Sequence, residues 1–162
     1  MKLKYHLISS LLFLSPILHA EQSSALALSV GAFDIGKDET AAELGIEYRF
    51  APLENAFNII PVIGATATTD GSYWVHSGIR YDIALGDNWV LTPNFAASLY
   101  EQGGGKDLGH TIEFRSGLEF AYKLNENSHL GLAIYHISNA SISNKNPGQE
   151  SVILSYSFAP DF

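Results

Sequence analysis

Alternation with period two is the feature that most restricts what this chain can become. Ala42, Leu44, Ile46, Tyr48 and Phe50 interleave with Glu43, Gly45, Glu47 and Arg49. The pattern recurs as Tyr73, Val75, Ser77, Ile79, Tyr81 and Ile83 against Trp74, His76, Gly78, Arg80 and Asp82. It returns in Ile112 to Tyr122 and again in Val152, Leu154, Tyr156 and Phe158. Successive side chains of a strand point to opposite faces, so each run is a strand with one apolar face. Helical periodicity is weak throughout. Breaks rich in turn residues divide the chain into eight strands, near 25–34, 41–50, 56–67, 72–84, 88–100, 109–123, 128–139 and 150–158. Pro61 and Pro93 fall inside the third and fifth, where each removes a ladder donor.

A soluble sandwich also alternates, with its apolar parity on a core. Three features favour a transmembrane barrel. The strands approach the roughly 9–11 residues that a tilted spanning strand requires. Tyr, Phe and Trp gather near strand ends, as in an interfacial girdle. The chain finishes on a strand followed by Ala-Pro-Asp-Phe, an ending with the C-terminal aromatic typical of outer-membrane barrels. The expected fold is therefore all-β: an eight-stranded antiparallel transmembrane β-barrel. Turns such as APLENA, LGDN and LNEN face the periplasm. Loops near 35–40, 68–71, 101–108 and 140–149 face outward from the cell.

The N-terminus, MKLKYHLISSLLFLSPILHA, has a basic head, an apolar stretch too short to span a bilayer, and a small-residue end at Ala20. It reads as a secretory signal peptide, residues 1–20, cleaved to leave the barrel domain, 21–162. Loss of Lys2 and Lys4 lowers the 9 basic residues to 7 against 17 acidic ones, a net charge of about −10. Such a chain has no broad basic surface for nucleic acid. It has no cysteine, so neither a disulfide nor a thiolate metal site is available.

In a barrel the charged parity faces the lumen. Glu43, Glu47, Arg49, His76, Arg80, Asp82, Glu113, Arg115 and Glu119 all fall there. Eight strands leave room only for side chains, so these acids and arginines are expected to pair and plug the interior.

The stretch YHISNASISNKNPGQE, 135–150, breaks the pattern. His136 and Ser138 continue the outward parity of Leu130, Leu132 and Ile134, and Glu150 opens the next outward set. If His136 pairs with Glu150, then Ile134 faces Val152, Leu132 faces Leu154 and Leu130 faces Tyr156. A single register thus keeps every lower pair apolar. It gathers an imidazole, a hydroxyl and a carboxylate on the lipid-facing wall, near the outer-leaflet boundary. Side chains at i and i+2 start about 7 Å apart, a gap that a leaning imidazole can close. Ser138 is then a candidate nucleophile, His136 its general base and Glu150 the orienting carboxylate.

Tyr-His-Ile-Ser-Asn-Ala at 135–140, with Glu150 fourteen positions after His136, resembles the PagL lipid A 3-O-deacylase family of outer-membrane enzymes. The resemblance is specific in the C-terminal hairpin and architectural elsewhere. It implies an eight-stranded barrel in the bacterial outer membrane, a serine esterase acting on lipid A, and a Ser-His-Glu triad carried by Ser138, His136 and Glu150. Asn139 matches the Asn that follows the family's nucleophile. Rival readings are a non-catalytic adhesion-type barrel and an outer-membrane phospholipase or acyltransferase.

Supporting residues are less distinctive. Asn139, Asn146 and the Gly148 turn are candidate oxyanion donors, although strand parity points Asn139 inward. Phe114, outward on the neighbouring strand, is a candidate wall of an acyl-chain groove. The chemistry calls for no cofactor and no metal. The expected partners are lipid A or lipopolysaccharide, the outer membrane and, at most, a second copy in a homodimer.

Overall fold

The computed structural model describes residues 23–37 and 40–160; the signal-peptide assignment and Phe162 lie outside them. The strands are β1 (Ala25–Phe33), β2 (Ala41–Arg49), β3 (Ile60–Thr68), β4 (Tyr73–Arg80), β5 (Ile83–Leu85), β6 (Trp89–Glu101), β7 (Ile112–Asn125), β8 (Ser128–Ser138) and β9 (Gln149–Phe158). Neighbours pair antiparallel in sequence order, and β1 closes the sheet on β9 from Leu26↔Phe158 to Ala32↔Val152. Closure leaves no open edge, as a bilayer demands of any strand structure.

The barrel has eight staves, because β4 and β5 are two segments of one. Both pair with β6 in a single register, Arg80↔Asn94 in one and Ile83↔Leu91 in the other. Between them Tyr81 N–H donates to the Pro93 carbonyl at 3.1 Å, but proline has no N–H to return the bond. The expected strand 72–84 is therefore one stave with an interruption. Pro61 acts likewise where β2 ends: Phe50 N–H donates to its carbonyl at 3.0 Å. The third strand starts at Ile60 rather than 56. Residues Glu54–Ala56 form a 3-10 turn, and Phe57 and Asn58 are left-handed (φ 58° and 57°).

Parity divides the residues as expected. Leu44, Ile46, Ile63, Val75, Leu99, Leu118, Leu132 and Ile134 are all exposed on the outside. The girdle includes Trp89 stacked on Phe120 (centroids 4.5 Å apart) and Tyr156 on Phe158 (5.8 Å). Inside, Glu119 accepts from Arg80 (2.6 Å) and Arg49 (2.9 Å). Glu47 meets Arg115 (2.7 Å), Arg49 (3.1 Å), His76 (3.1 Å) and Arg80 (3.3 Å). A lumen cavity bordered by Glu43, Glu47, His76 and Arg115 has a volume of ≈ 20 Å³, room for about one water. The interior is a packed polar core.

The outer end is closed by a second device. Phe33, Trp74, Tyr100, Leu108 and Ile137 form a buried apolar cluster. Leu108 belongs to the loop between β6 and β7, which folds inward and lowers this side chain onto the aromatic rings.

Candidate active site

The β8–β9 hairpin has the register that the alternation predicts: His136↔Glu150, Ile134↔Val152, Leu132↔Leu154 and Leu130↔Tyr156. His136 Nδ1 lies 3.3 Å from Glu150 Oε1, and the two side chains are 46% and 49% exposed. Directly opposed strand residues have Cβ atoms about 5 Å apart, so ladder geometry alone brings ring and carboxylate together. Ser138 is the last residue of β8 and half-buried. Phe114 stands directly opposite it on β7.

One expected contact is not made: Ser138 Oγ has no hydrogen bond among the described residues, to His136 or to any other group. The spacing of i and i+2 separates the two, and the imidazole is turned towards Glu150. The wall therefore holds a formed His–Glu pair beside an unengaged hydroxyl.

Gly148 explains why the loop can close over the imidazole. It is left-handed (φ 61°), and a Cβ there would stand 2.8 Å from His136 Cε1. Any larger residue meets the ring and is strained in its backbone as well. Gly148 thus supplies close backbone approach. On the other side of Ser138 the chain turns at Asn139, whose carbonyl accepts from Ile142 N–H at 3.0 Å. The two residues between, Ala140 and Ser141, are both left-handed (φ 52° and 64°), a conformation that costs a non-glycine residue about 1 kcal/mol or more. The surrounding bonds must hold it.

Asn139 provides them. Its side chain is 0% exposed and points into the barrel top, as parity requires. Nδ2 donates to the Leu108 carbonyl (3.0 Å) and to the Lys145 carbonyl (2.8 Å). Its backbone N–H donates to Asn146 Oδ1 at 3.0 Å. The Asn139 donors are therefore engaged in holding two loops together, and its side chain faces away from the outer wall. Asn146 lies exposed at the surface, held through its Oδ1 by that bond.

The loops are locked to each other and to the strand that carries Glu150. Ile35 N–H donates to the Glu150 carbonyl at 2.9 Å, and Asp34 N–H to Gln149 Oε1 at 3.1 Å. The only two lysines of the last two outer loops are paired: Lys106 with Asp34 (2.6 Å) and Lys145 with Asp107 (2.7 Å). Lys145, by hydrogen bonding and then the Gly109 N–H, holds the Asp107 carboxyl below its ordinary value. Sequence reasoning missed these clamps, because residues 34, 106, 107 and 145 are brought together only by the loops.

Phe114 stacks on Phe95 of β6 with centroids 5.9 Å apart and planes at 13°. Two rings beside Ser138 make an apolar shelf on the outer wall. No cluster of three potential metal ligands occurs among the described residues.

A closed barrel with an apolar outer band and a charge-paired lumen has the architecture of an outer-membrane protein. The chain belongs to the PagL lipid A 3-O-deacylase family, whose model matches residues 64–159, from within β3 to just past β9. Among solved structures it is similar to the outer membrane enzyme PagL, with a TM-score of 0.65 and 20% identity over 85% of this chain and 99% of that one. A de novo designed transmembrane β-barrel gives 0.59 at 9% identity, over 85% and 96%. Ail of Yersinia pestis gives 0.51 at 10%, over 84% and 99%. At these identities the structural likeness is one of fold. No curated protein matches the chain. Family and fold place it in the bacterial outer membrane.

Proposed function

We propose that this protein is a lipid A 3-O-deacylase of serine-esterase type, with Ser138 as nucleophile, His136 as general base and acid, and Glu150 as the carboxylate that orients the imidazole. The observation that carries the reading is the His136–Glu150 pair, formed across the ladder on the lipid-facing wall and one step below Ser138. The family description supplies the substrate. A membrane-bound amphiphile has no path into a plugged lumen, so a nucleophile on the outside is where such a substrate meets the protein.

The chemistry follows from the geometry. Nδ1 of His136 faces Glu150, which leaves Nε2 for the serine. A rotation of the imidazole or of Ser138 closes the remaining gap; catalytic hydrogen bonds are often long or unaligned before substrate binds. Ser138 Oγ attacks the carbonyl carbon of the ester at the sugar 3-position, and its proton passes to Nε2. The tetrahedral intermediate collapses with cleavage of the bond to the sugar oxygen, which takes the proton from His136. Water then attacks the acyl-serine, His136 takes its proton and returns one to Ser138 Oγ, and the fatty acid leaves. The Asn146 amide nitrogen and the backbone at Gly148 are the assigned oxyanion donors. Asn139 positions Asn146 through the bond to its Oδ1. Phe114 and Phe95 support the acyl chain.

The test is the mass of lipid A after incubation with the purified protein in detergent, with phospholipid supplied alongside. Loss of one ester-linked 3-hydroxyacyl group, absent with Ser138→Ala, is the expected result. Lysophospholipid as the main product overturns the substrate assignment.

A further inference from the structure

Ser116 stands where an apolar residue belongs. It lies on the outer face of β7, exposed, between Phe114 above and Leu118 below. It pairs directly with His136, while Phe114 pairs with Ser138. Three strands thus present the row Ser116–His136–Glu150 across the wall, a step below Phe114–Ser138. Ser116 Oγ has no hydrogen bond among the described residues. One other strand serine, Ser77 on β4, is equally exposed on the outer face, opposite Ile63 and Ala97. A lipid-facing serine is therefore tolerated without a task; what separates Ser116 from Ser77 is its place beside the imidazole.

We propose that Ser116 is a specificity-determining residue of the site, hydrogen bonding the 3-hydroxyl of the acyl chain whose ester Ser138 attacks. The inference rests on the deacylase reading and names what that site selects. Diagonal neighbours on adjacent strands stand about 7–8 Å apart, the relation of Ser116 to Ser138. A 3-hydroxyacyl ester carries its hydroxyl two carbons from the carbonyl under attack. With a hydrogen bond of about 2.8 Å added to that two-carbon separation, the chain spans the gap from one serine to the other. The hydroxyl of the substrate and that of Ser116 each lack a partner in the apolar boundary, and satisfying both together is favourable. A chain without the hydroxyl leaves Ser116 unpaired against the acyl surface. Phe114, beside both serines, keeps the first carbons of the chain close to the wall.

The experiment uses the purified full chain in detergent with two synthetic probes: glucosamine esterified at its 3-oxygen with 3-hydroxytetradecanoate, and the same sugar with plain tetradecanoate. The readout is the ratio of kcat/KM for the two. The native protein prefers the hydroxylated ester by about five- to tenfold, the effect of one hydrogen bond at a half-solvated site. Ser116→Ala brings the ratio close to one, Ser116→Thr retains it, and Ser77→Ala, the control two staves away on β4 and away from the imidazole, keeps the native ratio. A native ratio near one, or a Ser116→Ala ratio equal to the native one, overturns the proposal. If neither ester is turned over above the Ser138→Ala background, the deacylase reading itself falls and this inference with it. That outcome is distinct from a working esterase without preference.

Discussion

The barrel contains the same chemical pair twice, with opposite surroundings. In the lumen His76 Nε2 lies 3.1 Å from Glu47 Oε2, its side chain 2% exposed. On the outer wall His136 Nδ1 lies 3.3 Å from Glu150 Oε1, both half exposed. Glu47 also receives Arg49, Arg80 and Arg115, so its acceptor capacity is filled by fixed cations, and no substrate reaches it. Among the described residues the Glu150 carboxylate has only the imidazole, and the imidazole has one nitrogen left over beside a serine. The pair makes a core in one place and a candidate catalytic unit in the other. What differs is the neighbours and access, and both follow from which face of the strand each residue occupies.

The contrast breaks most sharply at the nucleophile. Ser138→Ala and His136→Ala are each expected to lower deacylation by about 10³-fold or more, with the heat-modifiable folded barrel unchanged on gels. If Ser138→Ala deacylates lipid A at the native rate, the serine mechanism is wrong. Glu119→Ala, in the lumen, is the converse. It leaves Arg80 and Arg49 to share Glu47, which already receives Arg115 and His76, and should cost about 3–5 kcal/mol, measured by urea unfolding in lipid vesicles. Activity per folded molecule should stay near native, and a stable but inactive variant would show that the lumen takes part in the chemistry.

Smaller effects sharpen the comparison. Asn146→Ala is expected to lower kcat by about 10²-fold with KM little changed, as removal of an oxyanion donor does; a pure KM effect would reassign it to binding. Glu150→Gln should reduce kcat less than His136→Ala, because an orienting group often contributes less than the base. Equal losses in the two kinetic series would make the carboxylate indispensable. The smallest effect concerns the loop clamp. Asp107 is held below its ordinary value by Lys145, so its contribution is present above the unfolded carboxyl pKa and fades as pH falls through the depressed folded one. Protease nicking at Gly103–Gly105 of intact cells should therefore rise only in strongly acidic medium, and Asp107→Asn should remove that dependence.

Alternation carried most of this molecule. The lumen set from Glu43 to Glu119, the outward Leu and Ile, and the His136–Glu150 register all follow from a side-chain period of two. A slip of one residue would turn every apolar side chain inward, so the pattern admits one solution. Local chemistry then blurred the edges: Pro93 interrupted a stave, and left-handed Phe57 and Asn58 delayed β3. The sequence also marked Ser138 and His136 as neighbours on one face, since that requires only the strand.

What the tertiary structure decided is everything that depends on loops. Asn139 was inward by parity, but that its amide ties Leu108 and Lys145 together could not be read from spacing. Those partners lie 31 and 6 residues away and meet only when the β6–β7 loop folds into the barrel mouth. The lysines proved to be paired with Asp34 and Asp107, and the approach of Gly148 to the imidazole appeared only with coordinates. Strand pairing repeats a local rule at every residue, so a sequence displays it many times over. A loop contact occurs once, between segments that no period relates, and its partners are chosen by the shape of the closed barrel.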